Sequence, residues 1–388
     1  MATEMLGRGG LLTLLLTAAC LDNGIDSEAP PRAAFVDVYG ARWELRRQVE
    51  HFAELPEDSS VHDVLQPRAA ARWQDLSNEE AVRRLRPITL TPDNAEYALA
   101  DDDALEFVEH LRTASAPRSA DMSAHDFALS THTQRVLSEE RFPTETFGGD
   151  DRVNMNGSAD QLPWMFIAAM ADAGRCTAFK LLNQHTAITA AHCVHDGKDW
   201  YTRKTLQFAA GASEPRQKLD ADCYAISVPG GWDGMDADYD YAVLRLREDS
   251  FGGGASCELS GYDVGYFGYQ LVDECLSNVP LSLAGYPGTT DPDHDVPSGE
   301  WKYPTLFSDY RTDGWSGCAG VYTNALFFYN DGSNGQSGAP VWTFSDDSRQ
   351  NYVRAIYRGS VTSPIGDSNR GRRLDDALVN WLSFNAGF

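Results

Sequence analysis

The stretch Thr189-Ala190-Ala191-His192-Cys193 places a histidine directly after a short β-like run and beside a cysteine. Further on, Asp240-Tyr241-Ala242-Val243-Leu244-Arg245-Leu246 places an aspartate at the mouth of an apolar strand, where its carboxylate can hold an imidazole N–H. Gly335-Gln336-Ser337-Gly338-Ala339-Pro340 places a serine in a tight turn between glycines. The order is His, Asp, Ser, with separations of 48 (240 minus 192) and 97 (337 minus 240) residues. Together the three stretches predict one nucleophilic site.

These residue types match the parts that peptide-bond hydrolysis needs at neutral pH. The reaction requires a nucleophile, a base that takes its proton, a group that orients the base, and donors for the developing oxyanion. Ser337, His192 and Asp240 fit the first three requirements in that order. Each motif alone is also typical of a core histidine, a strand-end cap or a surface turn, so the inference depends on finding all three.

The three motifs together resemble the hallmark motifs of the trypsin superfamily of serine proteases, T-A-A-H-C, D-[IVY]-A-[LV] and G-x-S-G-x-P. The resemblance implies that His192 is the general base and acid, Asp240 its orienting group and Ser337 the acyl-forming nucleophile. It implies that the backbone N–H groups of Gly335 and Ser337 form the oxyanion hole. It also implies an all-β domain of two six-stranded antiparallel β-barrels that acts on protein or peptide substrates without a cofactor.

Within that superfamily the sequence is most similar to the bacterial glutamyl endopeptidase branch. Gly149-Asp150-Asp151-Arg152-Val153 resembles the opening of its mature domain, Pro163-Trp164 the pair before the first strand, and Gly285-Tyr286-Pro287-Gly288 an internal motif. The resemblance covers 147–388 and none of the region before it.

The residues expected to set substrate specificity depart from these relatives. Animal trypsins carry Asp before the catalytic serine, where it receives the new N-terminus on activation, but this chain has Gln336. Glutamyl endopeptidases bind the substrate carboxylate with a histidine where this chain has Tyr357, so cleavage after Glu is in doubt. Asp331 matches the carboxylate of the trypsin pocket, which favours Lys or Arg, although it also fits a loop-capping role. We expect Asp331, Tyr357 and Gly359 to contact substrate.

The cysteine pattern indicates an oxidising compartment. Of seven cysteines, Cys176 and Cys193 resemble the histidine-loop disulfide of the superfamily, which implies that they pair. The next four cysteines, Cys223, Cys257, Cys275 and Cys318, allow three sets of disulfide pairs. The set Cys257–Cys275 with Cys223–Cys318 is preferred. The seventh, Cys20, lies outside the expected folded domain.

The first twenty residues have the pattern of an export signal. Arg8 precedes an apolar run over 11–19, and small residues follow before Cys20. The ending Leu-Thr-Ala-Ala-Cys also resembles the lipobox of bacterial lipoproteins, in which the cysteine is lipidated. We expect an exported protein, either secreted after ordinary signal cleavage or tethered to the cell envelope through lipidated Cys20.

A composition change near residue 147 predicts two regions after the signal. Over 21–146 an acidic tether is followed by a cysteine-free stretch with apolar residues at helical spacing, such as Leu105, Val108 and Leu111. Ser77 and Glu80 form the pattern of a capping box. We expect 21–146 to be a mainly helical pro-region or accessory domain, and 147–388 to be the protease domain.

The second region has the pattern of short strands that end in one amphipathic helix. The predicted strands are 164–170, 187–190, 241–246, 281–284, 325–329, 340–343 and 352–357, and the predicted helix is 374–384.

Net charge and loop composition limit the partners. A net charge of -25 excludes broad nucleic-acid binding, because phosphate would be repelled over most of the surface. The acidic loops 233–240 and 291–295 lack the residue order of a calcium loop, so we expect no metal site. We expect a monomer, and the alternative to an enzyme is a non-catalytic binding protein on a protease scaffold.

Overall fold

Two β-sheets contain most of the regular structure. The computed structural model describes residues 32–37, 40–54, 62–64, 73–122, 152–170, 176–211, 217–246, 265–272, 279–287, 306–316, 324–332, 335–363 and 366–387. Arg32–Phe388 forms a single unit. Among the described residues, no helix is both long enough and apolar enough to cross a membrane.

The strands and helices are short. In the described part of the chain the helices are α1 (Asn78–Leu85), α2 (Asp101–Thr113) and α3 (Asp376–Ala386). The strands are β1 (Ala34–Val36), β2 (Arg42–Gln48), β3 (His62–Val64), β4 (Pro87–Leu90), β5 (Ala95–Leu99), β6 (Ser119–Ala120), β7 (Val153–Asn154), β8 (Ile167–Met170), β9 (Thr177–Lys180), β10 (Thr186–Thr189), β11 (Leu206–Phe208), β12 (Gln217–Leu219), β13 (Ala225–Pro229), β14 (Ala242–Arg245), β15 (Gly268–Gln270), β16 (Val279–Gly285), β17 (Phe307–Ser316), β18 (Ala325–Phe328), β19 (Pro340–Ser345), β20 (Gln350–Ser363) and β21 (Gly366–Arg373).

The first sheet has eleven strands in the order β1-β2-β5-β4-β13-β14-β10-β9-β8-β11-β12. β9, β10 and β14 are buried along their whole length, as expected for short apolar and β-branched runs in a core. The second sheet has ten strands. Six of them pair antiparallel in a closed cycle, β16-β17-β18-β21-β20-β19 and back to β16. The pairings of the described residues do not close the first sheet in this way.

The N-terminal region is mixed rather than mainly helical in its described residues. α1 and α2 form as the apolar spacing predicts, and Ala104, Phe107, Val108 and Leu111 are the buried residues of α2. However, six short strands accompany them, and β4 pairs with β13 over Leu90↔Ile226 to Pro87↔Pro229. Helical spacing could not reveal these strands, because pairing with a sheet distant in the chain decides them. The expectation of a mainly helical region over 21–146 is therefore not confirmed by the described residues.

A buried carboxylate fastens the N-terminal region to the loop after the first sheet's β10. Glu96 of β5 is 2% exposed. It accepts a hydrogen bond from Trp200 Nε1 at 2.7 Å and from Arg47 Nε at 2.9 Å, and Arg46 Nη1 lies 3.1 Å away. An unpaired buried charge is costly, and these partners neutralise it. The hydrogen bond from Trp200 therefore holds β5 to the loop after β10.

The helix ends follow their sequence signals, with one exception. Ser77 accepts from the backbone N–H of Glu80 at 3.2 Å, as the capping box predicts, but the Glu80 carboxylate pairs with Arg83 and Arg84. Asp375 caps α3 by accepting from the N–H of Leu378 at 2.8 Å. The predicted strand over 164–170 begins as a 3-10 turn, Trp164–Phe166, before β8.

Candidate active site

His192 and Asp240 leave the same end of two neighbouring strands. β10 pairs with β14 so that Thr189 lies opposite Ala242. His192 follows in the 3-10 turn Ala191–Cys193, and Asp240 lies two residues before the first residue of β14. His192 Nδ1 lies 2.7 Å from Asp240 Oδ2, and the His192 backbone N–H donates to Asp240 Oδ1 at 2.9 Å. The structure therefore brings the first two predicted residues together.

The Asp240 carboxylate is buried but ionised. Its side chain has 0% exposure. Burial alone raises the pKa of a carboxyl, but here the charges of His192 and Arg358, with hydrogen bonds from His192, outweigh burial and lower the pKa of Asp240. An ionised carboxylate accepts a hydrogen bond from Nδ1–H, so the proton of the neutral imidazole lies on Nδ1. Nε2 is then the ring nitrogen that can accept a proton. This is the tautomer that a general base needs.

Ser337 lies in a turn that is bound to both sheets. Its carbonyl oxygen accepts from the N–H of Thr177 in β9 at 2.8 Å, and the N–H of Gly338 donates to the carbonyl of Tyr357 in β20 at 2.8 Å. Gly338 has φ of 83°, and a Cβ atom there would lie 2.1 Å from Oγ1 of Thr189. The close approach of the strands therefore requires glycine after the serine.

The backbone N–H groups of Gly335 and Ser337 are the predicted oxyanion donors. Within the described part of the chain, neither group donates a hydrogen bond to another residue. Gly335 has φ of 91°, a left-handed conformation that glycine adopts readily. Among the residues that the structure describes, both donors therefore lack an internal acceptor, as an oxyanion hole requires.

The third predicted contact, between Ser337 and His192, is not a hydrogen bond in this structure. Ser337 Oγ donates to the carbonyl oxygen of Arg358 at 3.3 Å. His192 Nε2 is buried and has no hydrogen-bond partner among the described residues. The two loops are nevertheless adjacent, because Sγ of Cys193 lies 3.5 Å from the carbonyl oxygen of Ser337.

The predicted disulfide between Cys176 and Cys193 is present, with a Cα–Cα distance of 5.9 Å. Because Cys193 directly follows His192, the bond restrains the histidine turn. Potential ligand atoms of Cys176, His192 and Cys193 lie within 4.8 Å of one another, but disulfide sulfurs are not the thiolates that a metal ion would need. Cys223 is also disulfide-bonded. The remaining cysteines, Cys20, Cys257, Cys275 and Cys318, lie outside the described residues.

The predicted specificity residues lie on two neighbouring segments of the second sheet. The backbone N–H of Asp331 donates to Oδ2 of buried Asp309 at 2.7 Å. Tyr357 is 3% exposed, and burial raises the pKa of its hydroxyl. That hydroxyl packs against Gly332, where an added Cβ would lie 2.4 Å from it. Gly359 follows at the β-bulge between β20 and β21.

Gln336, which stands where trypsins carry Asp, has a partner of its own. Its Oε1 accepts from Nη1 of Arg152 at 3.0 Å. The side chain before Ser337 is therefore anchored to the segment that resembles the start of a mature protease domain.

Arg358 is the site residue that the sequence analysis missed. It is 2% exposed, and its Nη1 donates to Asp240 Oδ2 at 2.5 Å. Its carbonyl oxygen is the acceptor for Ser337 Oγ. The available signal was an arginine directly after the predicted strand 352–357, because a charge buried there implies a partner of opposite charge, although the sequence does not identify that partner.

The chain is similar in sequence to known serine proteases. The Trypsin family model matches residues 153–259, a range that contains His192 and Asp240. Glutamyl endopeptidase of Bacillus licheniformis is 27% identical over 253 residues, which are 60% of this chain and 68% of that protein. Serine protease 23 of Bos taurus is 25% identical over 145 residues, 31% of this chain and 38% of that protein. A solved Glu endopeptidase is 19% identical and covers 63% of this chain and 100% of its own, with a TM-score of 0.45. The sequence matches identify the chain as a serine endopeptidase related to the trypsin family.

Proposed function

We propose that the protein cleaves peptide bonds through an acyl-enzyme on Ser337. The observation that carries this proposal is the buried, ionised Asp240 held 2.7 Å from His192 Nδ1, next to the Ser337 turn. Rotation of the serine side chain from the Arg358 carbonyl towards Nε2 would complete the triad, since catalytic hydrogen bonds often tighten only with substrate bound.

The reaction then follows from the positions of the donors and acceptors. His192 Nε2 takes the Ser337 proton as Oγ attacks the substrate carbonyl, and the N–H groups of Gly335 and Ser337 stabilise the oxyanion. His192 returns the proton to the leaving amine, and water releases the acyl group by the same steps. The test is peptide-library cleavage by the parent, Ser337→Ala and His192→Ala. Cleavage by the parent alone is expected, and equal cleavage by Ser337→Ala would refute the assignment.

A non-catalytic binding protein is the second candidate. It is favoured by one observation, the hydrogen bond of Ser337 Oγ to the Arg358 carbonyl instead of His192. A fluorophosphonate, which reacts with activated serines, separates the two candidates. A folded parent that forms no adduct at Ser337 would favour the binding protein.

Specificity for Lys or Arg is proposed from Asp331, whose carboxylate would form a charge-assisted hydrogen bond with a basic side chain. The name of the Bacillus licheniformis relative indicates cleavage after Glu in that protein, whereas here Tyr357 stands in place of the expected histidine. A library profile of Asp331→Ser beside the parent decides between these. We expect the preference for basic residues to be lost in the variant, and an unchanged profile removes Asp331 from specificity.

We also propose that the region over 21–146 stays with the protease domain as an accessory region. The pairing of β4 with β13 and the Glu96–Trp200 hydrogen bond support this, because removal would expose a strand edge and leave Trp200 Nε1 without this partner. N-terminal sequencing of active enzyme tests it, since an active form that begins near residue 147 and retains no N-terminal fragment contradicts it.

Export is proposed from the sequence of residues 1–20, with anchoring through lipidated Cys20. Mass spectrometry of membrane and culture fractions tests this, with Cys20→Ser as the comparison. A lipidated parent and an unlipidated variant are expected, and an equal distribution of parent and variant between the fractions contradicts anchoring.

A further inference from the structure

Arg358 contacts both ends of the catalytic arrangement. Its guanidinium Nη1 donates to Asp240 Oδ2 at 2.5 Å, and its carbonyl oxygen accepts from Ser337 Oγ at 3.3 Å. Asp240 Oδ2 also receives His192 Nδ1 at 2.7 Å. One carboxylate oxygen is thus shared between a permanent cation and the imidazole that must gain a proton during catalysis.

The guanidinium is held rigidly in this position. Its Nη2 donates to the carbonyl oxygen of Met235 at 3.0 Å, and its carbon atom lies 5.7 Å from the ring centroid of Trp232. The side chain is 3% exposed, so water screens its charge little. Arg358 therefore presents a fixed positive charge to the His192–Asp240 pair.

We propose that Arg358 is a positioning residue that acts through Asp240 to disfavour protonation of His192, and so extends activity towards acidic pH. The proposal rests on the proposed function of Ser337, His192 and Asp240. With Arg358 present, one buried negative charge faces two positive charges once the imidazole is protonated. Without the Arg358 charge, the imidazolium would be the only positive charge that the Asp240 carboxylate stabilises among its hydrogen-bond partners in the described residues.

Other charged groups around Asp240 are paired with one another. Asp238 lies 3.9 Å from Arg370, and its carbonyl oxygen accepts from Arg372 Nε at 3.0 Å. Asp236 lies 3.6 Å from Arg84. His195, three residues after His192, accepts from Gly197 N–H through its Nδ1. Within the described ranges, the hydrogen-bond partners of the Asp240 side chain are His192 and Arg358.

The size of the effect follows from Coulomb's law. Since both nitrogens contact the same oxygen, they lie within about 5 Å of each other, where two positive charges repel each other strongly in a buried site. Spreading of the charge over the guanidinium reduces this. Loss of the charge is expected to move the acidic limb of the activity profile up by roughly one to two pH units.

The experiment measures the rate of fluorophosphonate labelling of Ser337 against pH in the full chain. In this reaction Oγ bonds to phosphorus, fluoride leaves and His192 accepts the serine proton. Arg358→Met removes the charge, while Arg358→Lys retains it. Arg354→Met is the matched control on β20, since its guanidinium contacts Thr343 Oγ1 and the carbonyl of Leu271. The acidic limb should move upward in Arg358→Met and stay near the parent in Arg358→Lys and Arg354→Met.

An unmoved limb in Arg358→Met, or an equal shift in Arg358→Lys, overturns the proposal. If circular dichroism shows that Arg358→Met does not fold, Arg358→Gln carries the same prediction with a polar side chain. A parent that forms no adduct refutes the proposed function itself. If the parent is labelled with a normal pH dependence and the acidic limb of Arg358→Met lies at the same pH as that of the parent, only the role of Arg358 is refuted.

Discussion

Replacing Asp240 by Asn should damage catalysis and stability for separate reasons. The two carboxylate oxygens accept from three donors, the His192 backbone N–H, His192 Nδ1 and Arg358 Nη1. An amide has one oxygen, so its NH₂ group must face at least one of these donors. If that donor is Nδ1–H, the imidazole is driven to the opposite tautomer and Nε2 no longer accepts the serine proton.

The expected loss of rate is about 10⁴-fold, the cost of the wrong tautomer in the established serine protease triad. The loss of stability is expected to be about 3–5 kcal/mol, because the buried Arg358 cation loses its counter-charge. The double variant Asp240→Asn/Arg358→Met should recover part of the stability and none of the activity. Urea unfolding measures the stability, and fluorophosphonate labelling of Ser337 measures the activity.

Two results would refute this reasoning. Labelling of Asp240→Asn within about tenfold of the parent would show that the carboxylate does not set the tautomer. A double variant less stable than Asp240→Asn by the full cost of Arg358→Met alone would show that the two residues are energetically independent.

Three further predictions concern stability. Gly338→Ala should destabilise the fold by about 1–3 kcal/mol or more in urea unfolding, because φ is 83° and neighbouring atoms fill the space that a Cβ atom needs. Gly157→Ala is the control and should cost far less, because nothing lies within 4 Å of its new Cβ atom. Equal losses of stability in the two variants would contradict this. Glu96→Ala should lower the free energy of unfolding by about 3–5 kcal/mol, whereas Glu44→Ala, at an exposed position, should change it by no more than about 0.5 kcal/mol. An equally small change in Glu96→Ala would show that Glu96 does not hold the N-terminal region in place. Burial lowers the pKa of His195 to about 4 from 6.5. As the pH falls from 6.5 to about 4, His195 is therefore protonated in the unfolded chain but stays neutral in the folded protein, which lowers the stability of the fold. Over that range the parent should lose about 3 kcal/mol more stability than His195→Asn, and parallel plots of stability against pH for the two would refute this.

The parts of the site that depend on local motifs could be predicted from the sequence. His192 and Asp240 border β10 and β14, whose apolar runs mark them as buried strands, and the glycines around Ser337 mark a tight turn. The Cys176–Cys193 disulfide followed from the resemblance of its loop. These features are encoded within a few residues of the chain.

Features that depend on distant pairing could not be predicted. β4 is a short strand whose pairing with β13 is visible only once both are placed in one sheet. Arg358 could be read as an ordinary polar residue, because its importance lies in contact with Asp240, 118 residues earlier in the chain. Sequence spacing likewise gave no means of predicting that Ser337 Oγ would bond to the Arg358 carbonyl.

Whether His192 activates Ser337 as a nucleophile can be read from the site and rate of fluorophosphonate attachment in the folded protein. Peptide mass spectrometry should locate the adduct on Ser337 of the parent and find none in Ser337→Ala, with labelling of His192→Ala slower by about 10³-fold or more. An adduct elsewhere, or equal rates in the parent and a folded His192→Ala, would contradict the account.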